Sequence, residues 1–195
     1  MDETSTSARI VRAADELFYR QGYEHTSFAD IAGAVNLSRG NFYYHFKTKD
    51  EILEAVIALR MSDSRGMLEQ WDIAGGTPAD RIRHFIDILI DNKSEILRYG
   101  CPLGTLSAEL AKLDHPSQDG ASNLFELFRN WLRVQFEALG RSSDADALAM
   151  HLLARSQGVA TLASAFHDEA FIQQEVEAMY AWLDMVTGAD RSATG

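Results

Sequence analysis

Several polar side chains between residues 38 and 46 carry the hydrogen-bonding groups that bind nucleic acids. An arginine can donate two hydrogen bonds to guanine and an asparagine can pair with adenine, whereas tyrosine hydroxyls and imidazole suit phosphate oxygens. The residues of these types in the segment are Arg39, Asn41, Tyr43, Tyr44 and His45. Their types and close spacing predict contacts to both the bases and the backbone of a duplex.

Two phenylalanines in the same segment predict a helix that leaves these polar side chains exposed. Phe42 and Phe46 are four residues apart and would share one face of a helix. The three residues between Phe42 and Phe46 cannot all face one core, because successive helical residues point in different directions. For Phe42 and Phe46 themselves we keep the simpler interpretation that they are core residues.

The surrounding segments predict a helix-turn-helix. Apolar residues at helical spacing indicate a first helix that ends at Gly22, and Thr26 is the expected N-cap of a short second helix. Asn36 suits the turn because asparagine tolerates a positive φ, and Ser38 is the expected cap of the third helix. In this arrangement the second short helix of the pair enters the major groove of DNA.

Two lysines follow the predicted third helix, which is expected to enter the major groove and is here called the reading helix. Lys47 and Lys49 lie next to the start of a fourth helix, which Thr48 and Glu51 are expected to open as a capping box. Free backbone N–H groups at such a helix start bind phosphate. By themselves the two lysines are more typical of a solvated surface, and only their position favours a contact to DNA.

Residues from about 9 to 55 resemble the DNA-binding signature of the TetR family. The resemblance rests on FADIA at 28–32, SRGNFYYHF at 38–46 and KDEIL at 49–53. It implies a homodimer that binds double-stranded operator DNA and responds to a small-molecule effector of unknown identity. The most favoured function is therefore a ligand-responsive repressor that binds a near-palindromic operator and is released by its effector.

The resemblance also implies roles for individual residues. The DNA backbone at the start of the second helix is touched by Thr26 and Ser27. The bases face Arg39 and Asn41. The phosphates are held by Tyr43, His45 and Lys49. Tyr44 is placed between the base-contacting and the phosphate-contacting residues. The predicted DNA-binding set is completed by Ser38 and Lys47.

Length and composition predict a folded all-α protein. The 195 residues are 46% apolar and 24% charged, which is typical of a globular chain. Nearly every segment has helical periodicity and no alternating strand pattern is present, so we expect about nine helices. The predicted domains are a DNA-binding domain at 1–50, which includes the start of the fourth helix, and an effector-binding and dimerisation domain at 51–195.

The charge distribution limits how the protein can bind DNA. A formal charge of −11 argues against nonspecific coating of nucleic acid, which depends on Lys and Arg neutralising phosphates. Residues 1–60 hold seven Lys and Arg against nine Asp and Glu, whereas residues 61–195 hold eleven against twenty. Any DNA binding should therefore be local and strongly dependent on salt.

The sequence also indicates where the protein works and which chemistry it lacks. No apolar run approaches the roughly 20 residues of a membrane span, and the first residues lack a signal-peptide pattern, so we expect a cytoplasmic protein with no membrane partner. One cysteine, Cys101, cannot form an intrachain disulfide and is too little sulfur for a zinc site. We expect no metal and no cofactor.

An effector pocket is predicted in the second domain, where bulky residues are frequent. A pocket needs apolar walls with a few polar points, although most such residues must simply form the core. Polar candidates besides those in the lining set are Arg98, Ser107, Glu109 and Arg129. The predicted lining residues are Met67, Trp71, Phe85, Tyr99, Cys101, Leu106, Phe128, Trp131 and Gln157.

Cys101 carries an additional hypothesis. The segment 100–109 resembles one found in several TetR-type subgroups, including some regulators that sense electrophiles through a cysteine. A thiolate at a helix start is favoured by the helix dipole, which raises its reactivity. The alternative is an inert, buried cysteine that only fills space.

The last two helices predict a dimer interface. Two helices from each of two subunits would form a four-helix interface. The predicted interface residues are Leu148, Leu152, Val159, Phe171, Val176, Met179 and Trp182. The alternative is that these side chains form an intramolecular core.

Two other classes of protein fit the sequence less well than a regulator. An enzyme is disfavoured because the sequence has no G-x-S-x-G, no H-E-x-x-H and no phosphate loop. A small-molecule-binding protein without DNA affinity stays open, and DNA binding at low and high salt would separate it from a regulator.

Overall fold

The computed structural model describes residues 5–188, apart from the side chain of Arg39. These residues form helices and no strand, which confirms the predicted all-α fold. The helices are α1 (Thr6–Gln21), α2 (Phe28–Ala34), α3 (Arg39–His45), α4 (Lys49–Ile73), α5 (Pro78–Asp91), α6 (Lys93–Tyr99), α7 (Pro102–Lys112), α8 (Gln118–Ala138), α9 (Ala145–Phe166) and α10 (Glu169–Thr187).

Several helix boundaries differ from those that the residue types predict. Helical spacing predicts one helix from about residue 79 to 99, but the structure divides it into α5 and α6 at Asn92, so the part of the chain that the structure describes has ten segments where about nine were expected. Ser122 is a predicted cap for the next long helix, whereas α8 begins earlier, at Gln118. The α2 helix is capped by Ser27 and not by Thr26.

The helices form two compact units. The first, here called the head, contains the chain up to Arg65 together with Pro102–Leu124. The second, here called the body, contains Gly66–Cys101 and the chain from Phe125 onward. The domain boundary expected at residue 50 lies within the head, because the first part of α4 and all of α7 share one core with α1 to α3.

The core of the head is built from the apolar faces of its helices. Phe42 of α3 is 1% exposed and packs edge-to-face against Phe28 of α2, with ring centroids 5.2 Å apart. Ile52 and Leu53 of α4 and Leu110 of α7 are also fully buried in this core. Burying a side chain of this size contributes about 1.5–3 kcal/mol, so the reading helix is held mainly by its inward face.

The body is a separate helical unit in which α10 packs on α5 and α9, and α6 packs on α9. An ion pair joins α9 to α10 between Arg155 and Glu175, whose nearest atoms are 2.8 Å apart. The Tyr180 hydroxyl of α10 donates to Asp87 of α5, and burial together with this carboxylate raises the pKa of Tyr180 to about 12. None of the described helices is both long and apolar enough to cross a membrane.

Candidate DNA interface

The turn between α2 and α3 sets the position of the reading helix. Asn36 has a φ of 55°, as its residue type predicted, and the N–H of Leu37 donates to the Ala32 carbonyl at 3.0 Å. The Arg9 guanidinium of α1 donates to the Val35 carbonyl at 3.2 Å. The turn is thus fastened to α1 by a charged donor, a contact that no local sequence signal indicated.

The α3 helix begins at a serine cap and presents a polar face. The Ser38 hydroxyl accepts the N–H of Asn41 at 3.4 Å, in agreement with the expected cap. Phe42 and Phe46 are buried, whereas Asn41 is exposed and His45 is partly exposed. The expected base contact of Arg39 concerns a side chain outside the described part of the structure.

The two tyrosines of α3 are held differently. Tyr43 is 47% exposed and its ring stacks on Phe28, with centroids 5.4 Å apart and planes inclined by 14°. Tyr44 is 79% exposed, and its ring lies edge-to-face against the His45 ring, with ring centroids 5.3 Å apart. No hydrogen bond of either hydroxyl occurs among residues 5–188, so both hydroxyls are available to a phosphate.

Thr26 does not have the role that the sequence suggested. Its side chain is 1% exposed, its hydroxyl donates to the Gly22 carbonyl at 2.7 Å and accepts from Gln21 at 3.2 Å, and its backbone N–H donates to the Tyr23 carbonyl. A buried hydroxyl with these partners cannot reach a DNA backbone. The expected phosphate contact of Thr26 is therefore wrong.

Ser27 is exposed and forms the cap of α2. Its hydroxyl donates to the Asp30 carboxylate at 2.7 Å, and its backbone N–H donates to the same carboxylate at 2.8 Å. These hydrogen bonds lower the pKa of Asp30, so the cap carries a negative charge. A phosphate at Ser27 would have to approach beside this carboxylate, and the contact of Ser27 to DNA stays a prediction.

The two lysines after α3 bind carbonyl groups of the head. The Lys47 ammonium donates to the Tyr43 carbonyl, and the Lys47 backbone N–H donates to Glu51 at 2.7 Å. The Lys49 ammonium donates to the carbonyls of Tyr23 at 2.9 Å and Glu24 at 3.3 Å. It also lies 4.2 Å from the centre of the Tyr23 ring. In this structure the Lys49 ammonium holds the loop between α1 and α2, a role that the sequence did not indicate, and its expected contact to phosphate stays a prediction.

Replacing Lys49 by methionine should lower the free energy of unfolding by about 1 kcal/mol, because a cation–π contact and charged hydrogen bonds are lost while the aliphatic stem is kept. Chemical denaturation measures this change. The matched control is Lys47→Met, which is exposed and should change the free energy of unfolding by less than half as much. Equal effects of the two substitutions would contradict a structural role specific to Lys49.

The same loop carries a buried tyrosine that sequence reasoning did not select. The Tyr23 hydroxyl donates to Asp50 at 2.5 Å, and the His115 ring packs edge-on against the Tyr23 ring with centroids 5.2 Å apart. Burial, followed by the Asp50 carboxylate, raises the pKa of Tyr23 above its ordinary range. Tyr23 is therefore a neutral, fixed part of the head.

Four of the residues predicted to line an effector pocket form two aromatic pairs in the body. Phe85 and Phe128 are buried with ring centroids 5.9 Å apart. The ring centroids of Trp71 and Trp131 lie 5.5 Å apart, and the Trp131 indole N–H donates to the Asp72 carboxylate at 3.2 Å. Part-exposed positions are occupied by Met67, Tyr99, Cys101 and Gln157. The reactivity of Cys101, which directly precedes α7, stays a prediction.

Leu106 differs from the other predicted pocket residues. It is buried in the core of the head, where it joins the apolar side chains of α1, α2 and α4. The periodicity of α7 showed that Leu106 faces a core, but it did not show which of the two cores. The expected place of Leu106 in a pocket of the body is therefore corrected.

Four of the seven predicted interface residues are buried within the chain. They belong to the internal faces of α9 and α10 and are Leu152, Val159, Val176 and Met179. Leu148, Phe171 and Trp182 are partly exposed. The side chains of these four residues pack inside the body, and the expected dimer interface stays a prediction that depends on the exposed positions of the two helices.

The exposed side of α9 is also apolar. Large exposed hydrophobic residues on this helix are Met150, Leu162 and Phe166, and α10 exposes Met185. The exposed α9 positions between 147 and 166 are Ala147, Met150, His151, Ala154, Gly158, Thr161, Leu162, Ala165 and Phe166. No Asp, Glu, Lys or Arg occurs among them, so beyond its first turn, where Asp146 is exposed, α9 has uncharged and mostly apolar surface on two sides.

Comparison with known proteins relates this arrangement to bacterial regulators. Residues 10–56 match the family model described as bacterial regulatory proteins, tetR family. The chain is 30% identical to an uncharacterized HTH-type transcriptional regulator in the lacX 3′ region of Lactococcus lactis subsp. lactis, over 69% of this chain and 70% of the relative. It is 26% identical to the HTH-type transcriptional repressor DhaR of Mycobacterium sp. (strain GP1), over 81% and 82% of the two chains.

A solved structure has the same fold over nearly the full length. The crystal structure of a TetR transcriptional regulator from Legionella pneumophila superposes with a TM-score of 0.78 and 28% identity, covering 95% of this chain and 99% of that chain. The family match at residues 10–56 includes α2, α3 and the first part of α4. The exposed polar face of α3 therefore lies inside the matched segment.

Proposed function

Because the chain belongs to the TetR family of transcriptional regulators, we propose that it is a cytoplasmic repressor that binds a near-palindromic operator as a homodimer and is released by a small-molecule effector. The exposed face of α3 is the observation that carries the proposal. Asn41, Tyr43 and Tyr44 project from a short helix whose other side is fastened by the buried Phe42. Such a rigid, polar helix matches the major groove of DNA.

The proposed DNA-binding domain is residues 1–50, and residues 51–195 form the effector-binding and dimerisation domain. In the head, α7 and the first part of α4 support α1 to α3 from the second of these segments. The aromatic pairs of the body favour an effector with apolar surface. The effector must bind the arrangement that does not fit DNA more tightly, because equal affinity for both arrangements would cause no release.

A dimer is favoured by the two apolar sides of α9. One side packs in the core of the body, and the uncharged exposed side would otherwise face water. A helix that is apolar on all sides is usually buried on all sides. Ala154 and Gly158 lie on the exposed side and are small enough to let a second helix approach closely. We propose that a second copy of the chain covers this face.

The proposal is tested by selecting DNA from a pool of random duplexes with the purified protein. We expect the selected duplex to contain two inverted half-sites about 34–36 Å apart, which is one turn of B-DNA. Binding to it should weaken steeply as salt rises from low to physiological concentration. Failure to retain any duplex at low salt would favour the small-molecule-binding protein without DNA affinity.

Replacing Asn41 by alanine should lower affinity for the selected duplex and relax the preference at one base pair of each half-site. A lost bidentate base contact costs about 1–3 kcal/mol per site. The side chain is exposed, so the melting temperature should not change. The matched control is Asn130→Ala, an exposed asparagine on α8 in the body. Unchanged base preference in Asn41→Ala would exclude Asn41 from base recognition.

A further inference from the structure

A carboxylate of α7 holds the loop between α1 and α2, which leads into the helix-turn-helix. Glu109 accepts the backbone N–H of Tyr23 through Oε2 at 2.9 Å and that of Glu24 through Oε1 at 2.9 Å. All three residues belong to the head, although Glu109 follows Tyr23 by 86 positions in the sequence. Hydrogen bonds to a charged acceptor are roughly twice as strong as neutral ones. The two bonds therefore form a specific attachment between α7 and the loop.

Gly22 allows this attachment in two ways. Its φ of +90° is a conformation that other residues rarely adopt, and it turns the following N–H groups toward α7. A Cβ atom at this position would lie 3.0 Å from Glu109 Oε1, so a side chain would displace the carboxylate. The glycine that ends α1 is thus also the residue that lets Glu109 approach.

The backbone carbonyls of the same loop are bound by a side chain of α4. The carbonyls of Tyr23 and Glu24 accept from Lys49, while their N–H groups donate to Glu109. The loop is therefore fixed between a cation and an anion that come from two different helices. Ser27, which caps α2, follows this loop within three residues, and α2 packs on α3 through Phe28 and Phe42.

A second charged contact fixes the start of α7 in the head. Arg60 of α4 is 8% exposed, and its Nε donates to Asp15 of α1 at 2.6 Å. Its second donor group binds the carbonyl of Pro102, the first residue of α7, at 2.6 Å. The α7 helix is thus attached at both ends, by Arg60 at Pro102 and by Glu109 at the loop. A displacement of α7 would be transmitted to the loop through groups that form strong hydrogen bonds.

We propose that Glu109 is a positioning residue for DNA recognition. Its carboxylate sets the place of the loop and so the angle at which α2 and α3 meet a duplex. The inference rests on the proposed function, since it assigns a positioning contact to the same DNA interface.

The test compares Glu109→Gln with Glu54→Gln, a control that removes the same charge from an exposed position of α4 in the head. Affinities are measured for the duplex selected by the wild-type protein and for a scrambled duplex of equal length. Removing a negative charge weakens repulsion of DNA, so charge alone predicts equal or tighter binding for both variants. Loss of positioning predicts the opposite sign. We expect Glu109→Gln to bind the selected duplex about tenfold more weakly than the wild-type protein does, with no loss of affinity for the scrambled duplex. This is the size of effect that a residue acting through its packed neighbours can have.

Amide hydrogen exchange separates positioning from general stability. In Glu109→Gln the N–H groups of Tyr23 and Glu24 should exchange faster, because a glutamine can accept only one of the two bonds, while the N–H of Phe42 stays protected. If Glu109→Gln does not fold, Glu109→Asp keeps the charge, withdraws the carboxylate by one methylene, and is measured in the same way. A variant with a lower melting temperature and an unchanged preference for the selected duplex would overturn the inference.

The two proposals fail in different ways. If the wild-type protein shows no preference for any duplex, the proposed function is wrong and the inference falls with it. If the wild-type protein prefers its selected duplex and Glu109→Gln prefers it equally, only the inference is wrong.

Discussion

Replacing Phe166 by aspartate is expected to convert the protein into a monomer that no longer retains operator DNA. Phe166 is 73% exposed at the end of α9 and lies one turn beyond Leu162 on the uncharged face of that helix. In a two-fold symmetric interface the substitution would place a carboxylate on both subunits. An unpaired charge in an apolar interface costs several kcal/mol, which is more than a single interface contact contributes.

The effect on DNA binding follows from the number of half-sites. Once one subunit of a dimer has bound a half-site, the second subunit meets the other half-site at a high effective concentration. Loss of the dimer should therefore reduce operator affinity by on the order of a hundredfold or more. Light scattering at micromolar protein concentration and retention of the selected duplex measure the two effects. The melting temperature of the variant should be examined in the same samples, since loss of a partner subunit also removes stability.

Ile73→Asp is the matched control for this experiment. Ile73 ends α4 and is 83% exposed, so the same kind of change is made on a large, exposed apolar side chain outside α9 and α10. We expect Ile73→Asp to remain a dimer with normal operator affinity. A dimeric Phe166→Asp protein, or a monomeric wild-type protein, would contradict the proposed interface.

Replacing Phe42 by alanine is expected to destabilise the protein by about 3–5 kcal/mol. Phe42 is among the largest fully buried side chains of the head, and its ring contacts Phe28 across the α2–α3 pair. The substitution removes apolar burial and leaves a cavity at the contact that orients α3. Since a domain is stable by only about 5–15 kcal/mol in total, this is a large share of the available free energy.

Tyr44→Ala is the control from the same helix. Tyr44 is mostly exposed, so its removal should change the free energy of unfolding by less than about 0.5 kcal/mol, while it weakens operator binding. Chemical denaturation separates the two variants, because Phe42→Ala should lose several kcal/mol of stability, whereas Tyr44→Ala should lose DNA retention without a comparable loss of stability. Similar losses of stability in both variants would show that α3 is not divided into a buried and an exposed face.

Local backbone signals could be predicted because they depend on residues that are close in sequence. Gly22 ends α1, Asn36 adopts a positive φ and Ser38 caps α3, as their residue types indicated. The spacing of Phe42 and Phe46 identified the buried face of α3. Two adjacent residues that both favour a cap could not be distinguished in this way, and burial of Thr26 decided that Ser27 caps α2.

Charged residues were harder to interpret than caps. Lys49 follows the reading helix, and its position in the sequence suggested a phosphate contact. Its actual partners, the Tyr23 and Glu24 carbonyls, are about 25 residues away along the chain. Glu109 was recognised only as a polar candidate for a pocket, and its partners lie more than 80 residues earlier. Neither pairing leaves a pattern in a single sequence.

By itself, the sequence determined the helical class, the helix-turn-helix, the buried and exposed faces of α3 and the relation to a family of regulators. Each of these depends on residue types a few positions apart, whose backbone preferences and helical spacing act before any distant segment is packed. The tertiary structure alone decided that α7 belongs to the head, that Glu109 and Lys49 hold one loop, and which apolar side of α9 is internal. Those outcomes depend on how helices from distant parts of the chain pack together, because an apolar or charged side chain can be satisfied equally well by several different partners.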